Sequence, residues 1–278
     1  MNIIKAIIFG IIEGITEWLP ISSTGHLILT ETFIKFENLS PDFWNVFEVV
    51  IQLGAILAVV LLYFKNIWPL KKEKNTNKIT LDKEILNLWG KIIVACLPAI
   101  IIVLFGIDEI AEAKFYNPTC IAIMLILVGI AFIIIESKLH KEPRVTKMKE
   151  LTYKDAIIIG LFQIIAAIFP GTSRSGATII GALLIGVSRT VSAEYTFYLA
   201  IPAMCGASLL KVLKFGFNFT GEELAVLLIG TIIAFLVSVF IIKFLMNYIK
   251  KHDFKAFGWY RIALGIIVLI LGFCRVIV

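Results

Sequence analysis

Charge is scarce in this chain. Of its 278 residues, 17% are Asp, Glu, Lys or Arg and 59% are hydrophobic, where a soluble domain carries roughly 25% charged residues. With a mean hydropathy of +0.95, that deficit excludes an ordinary soluble domain and selects the membrane class. Cysteine is sparse and unpatterned. Cys96, Cys120, Cys205 and Cys274 lie in or beside apolar runs without CxxC spacing, which excludes a disulfide framework or thiolate metal site. The basic excess, a formal +6, lacks the interleaved aromatics of a nucleic-acid platform. It gathers instead in short loops between apolar segments, as inside-facing loops do. Met1 to Leu19 has no small-x-small cleavage site after it and carries Glu13 and Glu17. It is therefore expected to remain in the mature protein rather than leave as a signal peptide.

What is abundant is apolar sequence of spanning length. Six segments can cross a bilayer, at roughly Phe43–Phe64, Leu88–Gly106, Pro118–Glu136, Val191–Phe215, Glu223–Tyr248 and Gly258–Val278. Two further apolar stretches are interrupted. Asn2–Thr30 is broken at Pro20-Ile-Ser-Ser-Thr-Gly25, and Ala156–Gly186 at Pro170-Gly-Thr-Ser-Arg-Ser-Gly176. Proline breaks free backbone N–H and C=O groups that hydrocarbon cannot satisfy, so both tips must point into protein or a wet cavity.

The two stretches resemble each other. Gly10, Glu13, Pro20 and Ser23 align with Gly160, Gln163, Pro170 and Ser173, each pair 150 apart (160 − 10 = 163 − 13 = 170 − 20 = 173 − 23). A weaker echo links Gln52-Leu-Gly-Ala55 with Met204-Cys-Gly-Ala207. Basic residues crowd Lys65 to Lys91, Lys138 to Lys154 and Lys243 to Arg261, which places these loops inside. Glu31–Glu48, Asp108–Glu112 and Gly216–Glu223 fall outside. Six crossings connect consistently if each broken stretch returns to the side it came from. The predicted fold is an all-α polytopic membrane protein with two inverted-topology repeats, about six full transmembrane helices and two re-entrant helical hairpins. Residues 1–278 form one integral membrane domain, with repeats at about 1–136 and 154–278.

Glu13 and Glu17 lie four apart on one helical face. Paired carboxylates inside an apolar segment are costly and mark a functional site. Their repulsion calls for a metal, a cationic partner or a shared proton. Oxygen-only ligands suit Mg²⁺ or Ca²⁺, with substrate phosphate completing the shell. In Ser22-Ser23-Thr24-Gly25-His26, small hydroxyl residues and a glycine let backbone N–H groups face an anion, aided by a helix start near Gly25. His26 is one of three histidines; His140 and His252 lie in basic loops. In the second tip, Arg174 is the lone charge between Asp155 and Arg189, and its fork of donors suits phosphate oxygens. Gly171, Ser173, Ser175 and Thr178 surround it. Two carboxylates, an imidazole, a guanidinium and several hydroxyls form a kit for hydrolysing a phosphate ester or anhydride, borne on a lipid because the site is embedded. The rival reading is an inverted-repeat transporter or flippase of an anionic lipid, which phosphate release in detergent would distinguish. A scaffold would tolerate Glu17→Ala or Arg174→Ala.

Glu13-Gly-Ile-Thr-Glu17-Trp-Leu-Pro-Ile-Ser-Ser-Thr-Gly-His26 resembles the Glu-xxx-Glu motif and its extension in the undecaprenyl-diphosphate phosphatases, also called bacitracin-resistance proteins. Pro170-Gly-Thr-Ser-Arg-Ser-Gly-Ala-Thr178 resembles their second motif. Phe47-Glu-Val-Val-Ile-Gln-Leu-Gly54 and Gly186-Val-Ser-Arg189 extend the likeness, and the loop around Asn75 departs from it. The resemblance implies hydrolysis of undecaprenyl diphosphate to the monophosphate, recycling the peptidoglycan carrier lipid and conferring bacitracin resistance. It implies a divalent cation at Glu13 and Glu17. By position it implies a site of Glu13, Glu17, His26, Ser23, Ser173, Arg174 and Thr178. The expected catalytic residues are His26, Glu17, Ser23 and Arg174, and Ser22, Thr24, Gly25, Gln52, Gly171, Ser173, Arg174, Ser175 and Thr178 are expected on the substrate. The expected location is the bacterial plasma membrane, with the site open to the outer face. Expected partners are the isoprenyl diphosphate and membrane lipid, without nucleic acid; a homodimer stays open. The attacking group is left among His26, Ser23 and water.

Overall fold

A computed structural model describes residues 1–72, 79–138, 142–216 and 218–277. Asn75, His140 and Val278 lie outside the described residues, as does the Glu112 side chain. Among the described residues, six helices are long and apolar enough to span a membrane: α3 (Phe43–Ile67), α4 (Lys83–Leu104), α6 (Pro118–Lys138), α9 (Arg189–Phe215), α10 (Gly221–Tyr248) and α11 (Lys255–Phe273). The protein is an all-α polytopic membrane protein. Two elements escaped the hydropathy reading: the short hairpin of β1 (Leu70–Lys72) and β2 (Ile79–Leu81), and α5 (Ile107–Phe115). Both are short and charged, so neither has the apolar length that the reading relied on.

Each interrupted stretch is a pair of shorter helices. The first is α1 (Asn2–Thr16) and α2 (Ser23–Phe33); the second is α7 (Tyr153–Ile168) and α8 (Arg174–Leu184). At 1.5 Å per residue the longest of these, sixteen residues, rises ~24 Å, short of a hydrocarbon core of ~30 Å. Proline sets where they stop, because its ring clashes with the carbonyl four residues earlier. Pro20 stands four residues past Thr16, the last of α1. Phe169, just before Pro170, is extended at φ −114° and ψ 103°, as a residue preceding proline tends to be.

Both hairpins return to the side they came from. Asn2 and Lys5, at the start of α1, bond Glu37, just past α2, at 2.8 and 2.7 Å. Val145, ahead of α7, pairs with Gly186 and Ser188, just past α8, at 3.1 and 2.9 Å. The two mouths lie at opposite ends of α9. Asn2 also reaches Glu222 at the start of α10, beyond the last residue of α9, whereas Gly186 and Ser188 immediately precede the first. The hairpins are therefore inverted relative to each other.

Close helix contacts explain several glycines. A Cβ on Gly10 would sit 2.6 Å from the Gly230 carbonyl oxygen of α10, and one on Gly160 2.2 Å from that of Ala95 on α4. These two glycines are 150 apart, and each seats its re-entrant helix on a span outside its own hairpin. Small residues of this kind let backbones touch where lipid supplies no hydrophobic drive. The weaker echo is not matched this way. Gly54 meets Thr231 backbone, while nothing lies near Gly206.

Candidate active site

The tips converge. Arg174, the first residue of α8, donates from Nη2 to Glu17 Oε1 at 2.9 Å and from Nη1 to the Thr196 carbonyl at 3.0 Å. Ser23, the first residue of α2, donates to the other Glu17 oxygen at 2.9 Å. Ser175 donates to the Glu17 carbonyl at 3.2 Å and lies 3.0 Å from the Ser173 hydroxyl. Thr178 donates back to the Arg174 carbonyl at 2.9 Å. The Glu17 carboxylate is thus gripped from both repeats, by residues at the same helical position.

That equivalence corrects the repeat register. Ser22 and Ser173 cap α2 and α8, both with positive φ (74° and 69°). Their side chains accept from Gly25 and Gly176 N–H. The caps are 151 apart, not 150, because the second tip has one more residue between proline and cap. Ser23 therefore matches Arg174, not Ser173. A positive φ on serine costs on the order of 1–3 kcal/mol and persists only where the surroundings enforce it.

Arg261 was not singled out by the sequence reading, in which it closes a basic inside loop and falls in the first residues of the last spanning segment. It lies within α11, and none of its surface is exposed. Nη1 donates to the Pro20 carbonyl at 3.1 Å, and Nη2 to the Gly171 and Thr172 carbonyls at 2.7 and 2.9 Å. One guanidinium thus satisfies carbonyls that the breaks free in both tips, the service a broken helix in a membrane requires. Gly171, at φ +88°, presses so near Ile121 that a Cβ would meet its backbone oxygen at 2.6 Å. A cationic residue in a nominal loop gives no sequence signal for this role; its apolar flank, Ile262 to Leu271, was the available hint.

The remaining predicted residues are placed as follows. Glu13 is fully buried, and both its oxygens lack a hydrogen-bond partner among the described residues. The charges acting on it are Glu17, Glu48 and Arg174. Glu48, on α3, was not singled out as a site residue. Gln163, the repeat counterpart of Glu13, is buried with Oε1 unpartnered. His26 Nδ1 is 2.7 Å from the Ser22 carbonyl oxygen, and Nε2 is 2.7 Å from the Tyr260 hydroxyl. It makes no hydrogen bond to Glu17 or Arg174. Thr24 and Gln52 are half-buried and make no side-chain hydrogen bond among the described residues. A cavity of about 310 Å³ lies elsewhere, lined by Lys65, Lys91, Glu194 and Tyr198 among others, and includes none of these residues.

The family model described as bacitracin resistance protein BacA matches residues 6–267, spanning both tips and Arg261. The chain belongs to the BacA family. An undecaprenyl-diphosphatase of Desulfitobacterium hafniense is 60% identical over 279 residues, covering 100% of this chain and 99% of that protein. One of Lachnoclostridium phytofermentans is 60% identical, covering 96% of each chain. One of Enterococcus faecalis is 55% identical, covering 98% of this chain and 97% of the relative.

A cation is compatible with this donor set. The Glu13 oxygens are buried and unclaimed, and a bare buried carboxylate is expensive without a partner. Among the described residues no group of three His, Cys, Asp or Glu could hold a metal alone. Such a cation would draw its remaining oxygens from other groups, among them the phosphates of a substrate.

Proposed function

We propose that the converging tips bind the diphosphate headgroup of undecaprenyl diphosphate and hydrolyse its terminal phosphate, leaving undecaprenyl phosphate. Relatives 54–60% identical carry the name undecaprenyl-diphosphatase. The observation that carries the residue roles is the grip on Glu17, with a serine hydroxyl on one oxygen and a guanidinium on the other. A nucleophile, a base within hydrogen-bond reach and a third group orienting the base form the general pattern of activated-hydroxyl catalysis. In this reading Ser23 Oγ attacks the terminal phosphorus as its proton passes to Glu17. The anhydride P–O bond breaks, and the lipid monophosphate departs. Water then releases phosphate from the serine. Arg174, whose Nε lacks a hydrogen-bond partner among the described residues, offsets charge on the transferring phosphoryl group. His26, on the same helix as Ser23, serves as a second acid–base group.

Glu13, with Glu17 beside it, would hold Mg²⁺ or Ca²⁺ jointly with the substrate phosphates, since two carboxylates leave most of the shell to other oxygens. When bound, the cation would offset charge on the diphosphate. The basic loops support an orientation with Lys65 to Lys91, Lys138 to Lys154 and Lys243 to Arg261 inside, and the family resemblance favours a site open to the outer face of the plasma membrane. A pure carrier gains nothing from a serine donating to a carboxylate.

The test is phosphate release by purified protein in detergent, where no second compartment exists. The reading expects turnover of undecaprenyl diphosphate in wild type and its loss in Ser23→Ala. Binding without turnover would favour the carrier. Full turnover in Ser23→Ala would remove the serine from the attack.

A further inference from the structure

Tyr260 belongs to neither interrupted motif and lies on α11, outside both hairpins. Its hydroxyl is 2.7 Å from His26 Nε2, and the two rings stack with centroids 5.6 Å apart at 5°. The other ring nitrogen decides where the hydrogens are. Nδ1 faces the Ser22 carbonyl oxygen at 2.7 Å, and a carbonyl can accept but not donate. Nδ1 therefore carries a proton whether His26 is neutral or cationic. In the neutral ring Nε2 holds the lone pair, so the Tyr260 O–H donates to it. In the cation Nε2–H donates to the phenol oxygen, and the tyrosine hydrogen must turn to another acceptor. The direction of one hydroxyl thus follows the charge of His26.

A tyrosine on a helix surface often stacks by chance. Two features argue against that here. The hydrogen bond and the stack together fix both the direction and the plane of the imidazole. Arg261, the next residue, ties α11 to both tips through three carbonyls. The Tyr260 backbone is thereby registered to the elements that carry Glu17, Ser23 and Arg174. Tyr260 is itself 46% exposed, so its hydroxyl sits at the edge of the protein rather than sealed in the core.

We propose that Tyr260 is a further positioning residue of the reaction. It holds His26 in the Nδ1–H tautomer and a single ring plane, and it occupies the lone pair through which the imidazole exchanges protons. This rests on the reading that His26 serves the chemistry. It adds a second residue of α11, beside Arg261, to the site at the two tips.

The experiment pairs kinetics with ring-nitrogen NMR on the full-length protein in detergent. Tyr260→Phe keeps the stack and removes the O–H. The expected result is a kcat at least ~10-fold lower with KM within about twofold, a part of the 10²–10⁴ that acid–base groups supply. In the His26→Ala background the same change should cost nothing further, because coupled groups are not additive. The His26 Nε2 resonance should move in Tyr260→Phe, while the other two histidines keep theirs. A wild-type kcat, an unmoved resonance or a loss confined to KM would each overturn the proposal, the last by assigning Tyr260 to lipid contact. If wild type itself releases no phosphate, the functional reading has failed, and the nitrogen signal still decides whether Tyr260 holds His26.

Discussion

Arg174 and Glu17 are 157 residues apart in sequence and joined by a 2.9 Å hydrogen bond between side chains that are 14% and 8% exposed. Removing one member of a buried ion pair strands the other, at about 3–5 kcal/mol. Glu17→Ala is therefore expected to lower the thermal midpoint in detergent clearly. Glu17→Gln keeps an acceptor for Arg174 and should fall less. Equal midpoints for the two variants would show that the pair does not hold the tips together.

Arg261 carries a separate prediction. Arg261→Met keeps bulk and apolar contact but leaves the carbonyls of Pro20, Gly171 and Thr172 without their donors. Each stranded buried group costs about 1–3 kcal/mol. The variant should unfold at markedly lower temperature and lose phosphate release. Arg261→Lys, with one charged head in place of the fork, should recover part of the stability and little activity. Thermal scans and phosphate release on the same preparations check both.

Divalent cation dependence tests the role of Glu13. EDTA should abolish phosphate release, and Mg²⁺ or Ca²⁺ should restore it. Glu13→Gln keeps the shape and removes the charge, so it should raise the cation concentration for half-maximal rate by ~10-fold or more, in line with loss of a charged ligand. Full activity in chelator would remove the cation from the account.

Helix contact makes a prediction that rests on packing alone. A Cβ on Gly54 would stand 2.0 Å from the Thr231 carbonyl oxygen, while at Gly206 nothing lies within 4 Å. Gly54→Ala must separate α3 from α10, and overpacking of this kind costs typically about 1–3 kcal/mol. Gly206→Ala should be neutral or slightly stabilising, since alanine is the better helix former. Comparison of their thermal midpoints decides it.

The hairpins were legible because proline inside an apolar run has few physical outcomes in a bilayer. Their inversion followed from where the lysines lie. Glu13, Glu17 and Arg174 stood out because charge in hydrocarbon is expensive. The one-residue slip between Ser23 and Ser173 was not legible, because the extra residue falls inside the break, where no periodicity constrains the register. Arg261 and Tyr260 were hidden for a different reason. They sit at the first turns of an ordinary span, where an arginine and a tyrosine read as interface residues. Only the fold brings that turn against both tips. Glu48 was likewise hidden, near the start of a span where a carboxylate can reach water.

The central claim is that one site is made from both tips, and a double-mutant cycle on Glu17 and Arg174 tests it most directly. Phosphate release would be measured for wild type, Glu17→Ala, Arg174→Ala and the double variant. Residues that act as a unit lose most of their effect with the first substitution. The account predicts a loss of at least ~10²-fold in kcat for each single variant, with the double variant close to the worse of the two. Losses that multiply in the double variant would mean the two residues work independently, and the shared site would be contradicted.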